Sequence, residues 1–248
     1  MSAPVQLQGG KRRGRTVLKA LSWVLIAAGA LLLIDAGLTL VWQEPISALY
    51  AKVRQDQLGG DLNRLETRRI ARVEVTALKR LQTERRRLTF LARAERGKAN
   101  PGDPLGRIQI PKIGANFVIV QGTDAGDLRE GPGHYVNTPL PGEPGTVALA
   151  GHRTTFLAPF RDIDQLKRTD PIHVLMPYGD FAYSVERTRV VDPSATWVMR
   201  KIGYDRLVLT ACHPLYSASQ RIVVSARLVK VTPRGKASSL IATGKSAT

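Results

Sequence analysis

The chain has 248 residues, 43% of them hydrophobic and 23% charged, which suits one folded domain with accessory segments and excludes wholesale disorder. Its net charge is +17, divided as +11 over residues 1–100 and +6 over residues 101–248, so most of the excess lies in the first 100 residues. Aromatic residues make up 6% and form no stacking platform or zinc-finger spacing, so anionic lipid or wall polymer fits the charge better than nucleic acid, and no nucleic-acid partner is expected.

Residues 1–19 read as a basic cytoplasmic N-terminus. Ala20–Trp42 follows as an apolar run; as a helix rising ~1.5 Å per residue it is long enough for a ~30 Å hydrocarbon core. Asp35 is its single charge, and Trp23 and Trp42 sit where aromatic belts lie. Lys11, Arg12, Arg13, Arg15 and Lys19 precede the run, against Lys52 and Arg54 just after it, which puts the N-terminus inside and the remainder outside the cell membrane. A cleaved signal peptide is the rival reading. The apolar run resumes after Asp35 without a small-residue cleavage site, which favours a single-pass anchor.

Residues 43–104 are expected to form an extracytoplasmic helical stalk and linker. Asp61–Arg96 lacks proline and glycine and repeats Leu62, Leu65, Leu78, Leu81, Leu88 and Leu91 at near-helical spacing, so one continuous helix of about 50 Å is expected. Its arginine-rich face reads as solvated, with adhesion to anionic lipid or wall polymer as the alternative. Gly97–Pro104 (GKANPGDP) then breaks the helix.

Residues 105–231 change to short β-rich runs punctuated by Gly and Pro, the pattern of a mainly β barrel or sandwich. Strands are expected at Arg107–Ile110, Phe117–Gln121, Thr146–Gly151, Pro171–Met176, Phe181–Val191, Arg206–Cys212 and Arg221–Val231, and a short helix capped by Asp124. Two strands end in chemically capable residues: TVALAGH ends in His152, and RLVLTAC ends in Cys212. Cys212 is the only cysteine, which excludes an internal disulfide and a cysteine-rich metal site. Arg221 opens the next strand and comes near Cys212 if the two strands pair. A thiolate can attack a peptide carbonyl, an imidazolium can protonate the departing amine, and a guanidinium can hold the oxyanion.

Four ordered stretches, GRIQIPKIG (106–114), GPGHY (131–135), TPLPGEPGTVALAGHRTT (138–155) and LTACHPLYSASQRIVV (209–224), resemble the sortase family, most closely the class E sortases of high-GC Gram-positive bacteria. The resemblance implies an eight-stranded β-barrel with short helices. It implies Cys212, His152 and Arg221 as catalytic residues, with Ala211, Thr210, His134, Tyr135 and Arg153 as substrate-binding positions and no cofactor. The implied activity is a cysteine transpeptidase, with peptidase or hydrolase activity alongside. It would cleave an L-A-x-T-G or L-P-x-T-G sorting signal between Thr and Gly and pass the secreted protein to a peptidoglycan precursor amine. A pilin-polymerising enzyme and a weakly active binding module are the alternatives. The second is suggested by Ala211, where the family's T-L-x-T-C pattern has a hydroxyl; its loss would cost ~0.5–1.5 kcal/mol.

Among the remaining histidines, His213 is expected to point away from the reacting face and His173 to be bland. Asp162, Asp164 and Asp170 do not match a calcium loop, and no metal is expected. Residues 232–248 read as a disordered tail, with Leu240–Gly244 a chance echo of a sorting signal.

Overall fold

A computed structural model describes residues 10–41 and 45–242. Two compact units are present, divided between Pro45 and Ile46. The first contains helix α1 (Gly10–Val41), within which Thr16–Gly37 is 22 residues long and apolar enough to cross a bilayer. Leu and Ile side chains all round this helix are exposed, as a membrane-type helix requires. Trp42, the expected second flank, lies outside the described residues.

The second unit is built on a closed barrel of eight strands in the order β1–β2–β3–β4–β7–β8–β6–β5. These are β1 (Pro104–Ile110), β2 (Ala115–Gln121), β3 (Gly133–His134), β4 (Thr146–Ala150), β5 (Pro171–Met176), β6 (Gly179–Val191), β7 (Arg206–His213) and β8 (Gln220–Pro233). Seven lie where the sequence places them. The eighth, β3, spans two residues, too short for alternation to register. Alternate residues fill the interior: Leu207, Leu209 and Ala211 from β7 meet Ile222, Val224 and Ala226 from β8. Closure leaves no open sheet edge except where β3 is short.

That gap fixes the helix before the barrel. In α2 (Pro45–Thr67), Ala51, Leu58 and Leu62 are buried on one face, and Leu58 and Leu62 pack against Val118 and Val120 of β2. Gln55 lies on the same side. Its amide donates to the Val118 carbonyl (3.1 Å) and accepts from the Val118 N–H (2.7 Å), replacing the strand that β3 is too short to supply. Gln55→Leu should lower unfolding free energy by about 2 kcal/mol, because both strand groups lose their partner; a urea midpoint shift at unchanged slope would show it.

The expected stalk is corrected here. Asp61–Arg96 is not one long spacer helix but the end of α2 followed by α3 (Arg72–Arg80) and α4 (Glu84–Arg96), folded onto the barrel. Leu78, Leu88, Leu91 and Ala92 are buried in the main core. The leucine repeat marks a barrel-facing stripe, and Thr83, whose hydroxyl accepts from the Arg86 N–H (3.3 Å), caps a new helix inside it. Arg96 forks onto both oxygens of buried Glu143 (2.8 and 3.1 Å), tying α4 to the β3–β4 connection.

The tail is also corrected. β8 runs to Pro233, and helix α6 (Ser238–Ala242) follows, with Ala237 and Ile241 buried in the main core. Buried Arg87 of α4 donates to the Leu240 carbonyl (2.8 Å) and the Ile241 carbonyl (3.3 Å), capping this last helix. Leu240–Ala242 is therefore docked structure rather than a free signal-like segment, and 243–248 lie outside the described residues.

Candidate active site

β4 and β7 run parallel in the register Ala150↔Thr210, and the Gly151 N–H continues the ladder to the Thr210 carbonyl (3.1 Å). Two residues beyond that pair stand His152, just past the end of β4, and Cys212, on β7. β7 and β8 are antiparallel with Cys212 directly opposite Arg221, and opposed residues share a face with Cβ atoms ~5 Å apart. The register thus gathers the three residues at one end of three adjacent strands.

The face follows from alternation. Leu209 and Ala211 point into the barrel, so Val208, Thr210 and Cys212 point outward. On that outer face Ala148, Val208 and Val223 pack with Val198 under a short 3-10 turn, Thr196–Met199. Buried Arg206 holds this turn: its guanidinium donates to the Thr146 hydroxyl (3.0 Å) and to the Val198 (2.8 Å) and Arg200 (3.0 Å) carbonyls.

Each expected binding residue has a definite place. Thr210 is on the same outward face of β7 as Cys212 but is buried, its hydroxyl bonded to the Tyr135 hydroxyl (3.0 Å). Ala211 does not share that face: it is 4% exposed inside the barrel, on the opposite face. A hydroxyl at 211 would therefore face apolar side chains instead of substrate. His134 is fully buried, bonded through Nδ1 to Gln121 (2.8 Å) and through Nε2 to Thr138 (3.0 Å), so it is a core tie and not a groove residue. Burial pushes its pKa down to about 4.

Arg153 is likewise reassigned. Buried at 3% exposure, it donates to the Arg161 carbonyl (2.9 Å) and to His213 Nδ1 (3.3 Å) and pairs with Asp164 (2.9 Å). These three partners make it a clamp between the segment after His152 and the segment after Cys212. His213 is the acceptor of that clamp, since a guanidinium only donates. Asp164 serves Arg153, and Asp170 accepts from the Lys167 N–H (2.8 Å).

His152 is half-buried, and its pKa is lowered, first by burial and then by the positive charge of Arg129. Its ring rests against Phe156, centroids 5.4 Å apart. Neither Phe156 nor Arg129 stands out in the sequence; Arg129 lies on the short helix α5 (Ala125–Glu130), capped by Asp124. Gly151 is required by its neighbour: a Cβ there would come within 2.5 Å of the Phe160 ring. Arg221 Nη1 donates to the Ala218 and Gln220 carbonyls (both 2.9 Å), steadying the β7–β8 loop, and a guanidinium carries further N–H groups on Nε and Nη2.

A closed barrel that presents a lone cysteine, a histidine and an arginine at adjoining strand ends defines a candidate thiol acyl-transfer site. The profile of the Sortase domain matches residues 108–229. Sortase D of Bacillus subtilis is 39% identical over 118 residues, which cover 47% of this chain and 58% of that protein. Sortase SrtE1 of Streptomyces coelicolor is 30% identical over 160 residues, covering 56% and 44% respectively. The chain thus spans about half the length of these curated relatives. Among solved structures, sortase E from Streptomyces avermitilis aligns at TM-score 0.50 and 31% identity, covering 54% of this chain and 93% of that one. Sortase E1 from Streptomyces coelicolor with a tripeptide in the active site aligns at TM-score 0.52 and 29% identity, covering 55% and 94%. The chain belongs to the sortase family.

Proposed function

We propose that the protein is a membrane-anchored cysteine transpeptidase that cleaves a sorting signal of the L-A-x-T-G or L-P-x-T-G form between Thr and Gly. The observation that carries the reading is the double register: Ala150↔Thr210 and Cys212↔Arg221 bring His152, Cys212 and Arg221 to one edge of the barrel. The Cys212 sulfur, as thiolate, bonds the Thr carbonyl carbon, and the resulting oxyanion accepts from Arg221. Collapse breaks the C–N bond; the departing Gly amine takes its proton from His152, leaving a thioester on Cys212. An amine of a peptidoglycan precursor then attacks the thioester, gives its proton to His152, and releases Cys212. Orientation with the N-terminus inside and the barrel outside, supported by α1 and the basic residues before it, places the site where secreted clients and wall precursors meet.

The test is incubation of the full chain in detergent with both peptides and an amine acceptor, read by mass spectrometry. Cleavage between Thr and Gly, ligation to the acceptor and a transient adduct on Cys212 are expected. No turnover and no adduct with either peptide would overturn the reading.

A further inference from the structure

The segment after His152 is strained. Phe156, Leu157 and Ala158 all have positive φ (50°, 61° and 41°), a left-handed run that costs side-chain-bearing residues roughly 1–2 kcal/mol each. Such a run persists only where its surroundings hold it. Within it, Ala158 N–H bonds the Thr155 carbonyl (2.8 Å), and Phe160 N–H returns to the carbonyl of His152 (3.0 Å). From outside, α2 supplies two contacts. The Ser47 hydroxyl accepts from the Phe156 N–H (3.3 Å), and the Tyr50 ring meets the Phe156 ring edge-on, 6.4 Å between centroids at 77°. Arg129 of α5 stands 5.9 Å from the same ring. Phe156 therefore touches the His152 imidazole on one side and is gripped by α2 and α5 on others.

We propose that Phe156 is a positioning residue for His152, and that Ser47 and Tyr50, in the first turns of α2, hold it in that place. An imidazole must aim at the leaving nitrogen to protonate it, and an aromatic surface against the ring limits its rotation. The grip comes from the helix that follows the apolar span in sequence; Gln55 fastens that helix to β2 of the barrel, and the Arg54–Glu130 pair (2.7 Å) fastens it to α5. The inference rests on His152 being the acid of Cys212-dependent acyl transfer.

The full chain in lipid nanodiscs would be compared as wild type, Phe156→Leu, Tyr50→Leu and Tyr50→Phe. Steady-state kinetics with a sorting peptide and NMR titration of the His152 ring are the two readouts. Phe156→Leu is expected to lower kcat by about tenfold or more with little change in KM. It should also raise the His152 titration midpoint as water reaches the ring. Tyr50→Leu should move both in the same direction by less, and Tyr50→Phe, which keeps the edge contact, should restore them. Unchanged kcat and unchanged titration in folded Phe156→Leu would overturn the proposal. If Phe156→Leu does not fold, Tyr50→Leu matching Tyr50→Phe would overturn it instead. Should the wild type turn over no peptide, the transpeptidase reading fails, while the titration still decides whether Phe156 and Tyr50 govern the imidazole.

Discussion

Arg221→Lys is expected to lower kcat/KM for a sorting peptide by about 10²–10³-fold, while Cys212 still reacts with iodoacetamide at close to the wild-type rate. Arg221 sits opposite Cys212 on the paired strand, with Nη1 spent on the Ala218 and Gln220 carbonyls. A guanidinium can hold those carbonyls and still present N–H groups to an oxyanion; a lysine ammonium on a flexible stem has no such fork. The loss in kcat/KM falls on the acylation transition state, where an oxyanion develops on the peptide carbonyl, whereas alkylation of a thiol develops no oxyanion. Cys212→Ala is the control that ties both assays to the thiol, since it should abolish both. Equal loss of alkylation and turnover in Arg221→Lys would point to a collapsed loop and not to a missing donor.

His134 predicts an acid-sensitive fold. The unfolded chain binds a proton at this residue near the ordinary value of 6.5, whereas the buried ring in the barrel does so only at about 4. Between those values the unfolded state carries a proton that the native state refuses, so stability must fall as pH falls through that window. At about 1.4 kcal/mol per pH unit, the loss from neutral pH to pH 4 is roughly 3 kcal/mol. His134→Gln keeps hydrogen-bonding groups for Gln121 and Thr138 but has nothing to titrate. Urea unfolding from pH 7 to pH 4 should give a steep decline for wild type and a flatter one for the variant, which starts lower at neutral pH.

The barrel was legible in the sequence where short apolar runs were bounded by turn residues, as in β4 and β7, and the candidate residues His152 and Cys212 stood out because one lies just past the end of β4 and the other near the end of β7. β3 was not, because Gly133–His134 has no room for a period. The helices were read as helices but not as barrel-bound. Spacing such as that of Leu78, Leu88 and Leu91 announces an apolar stripe, and it does not say what covers the stripe. Ala211 and Arg153 were misread because proximity in sequence to Cys212 or His152 says little about which face a side chain takes, and His134 because a resemblance of sequence does not report burial. Strand alternation turns Ala211 inward beside an outward Cys212. Phe156 and its support were invisible, since Ser47 and Phe156 lie 109 residues apart.

Arg87 links the two ends of the folded unit, reaching from α4, ahead of the barrel, to the last carbonyls after it. The stretch recognised by family likeness, 108–229, is therefore shorter than the piece of chain that shares one core. A recombinant form trimmed to that stretch would uncover the barrel surface that Leu78, Leu88 and Ile241 now shield and leave a sticky apolar seam. A soluble version should instead begin at Ile46 and run through Ala242, so that both flaps travel with the barrel they seal.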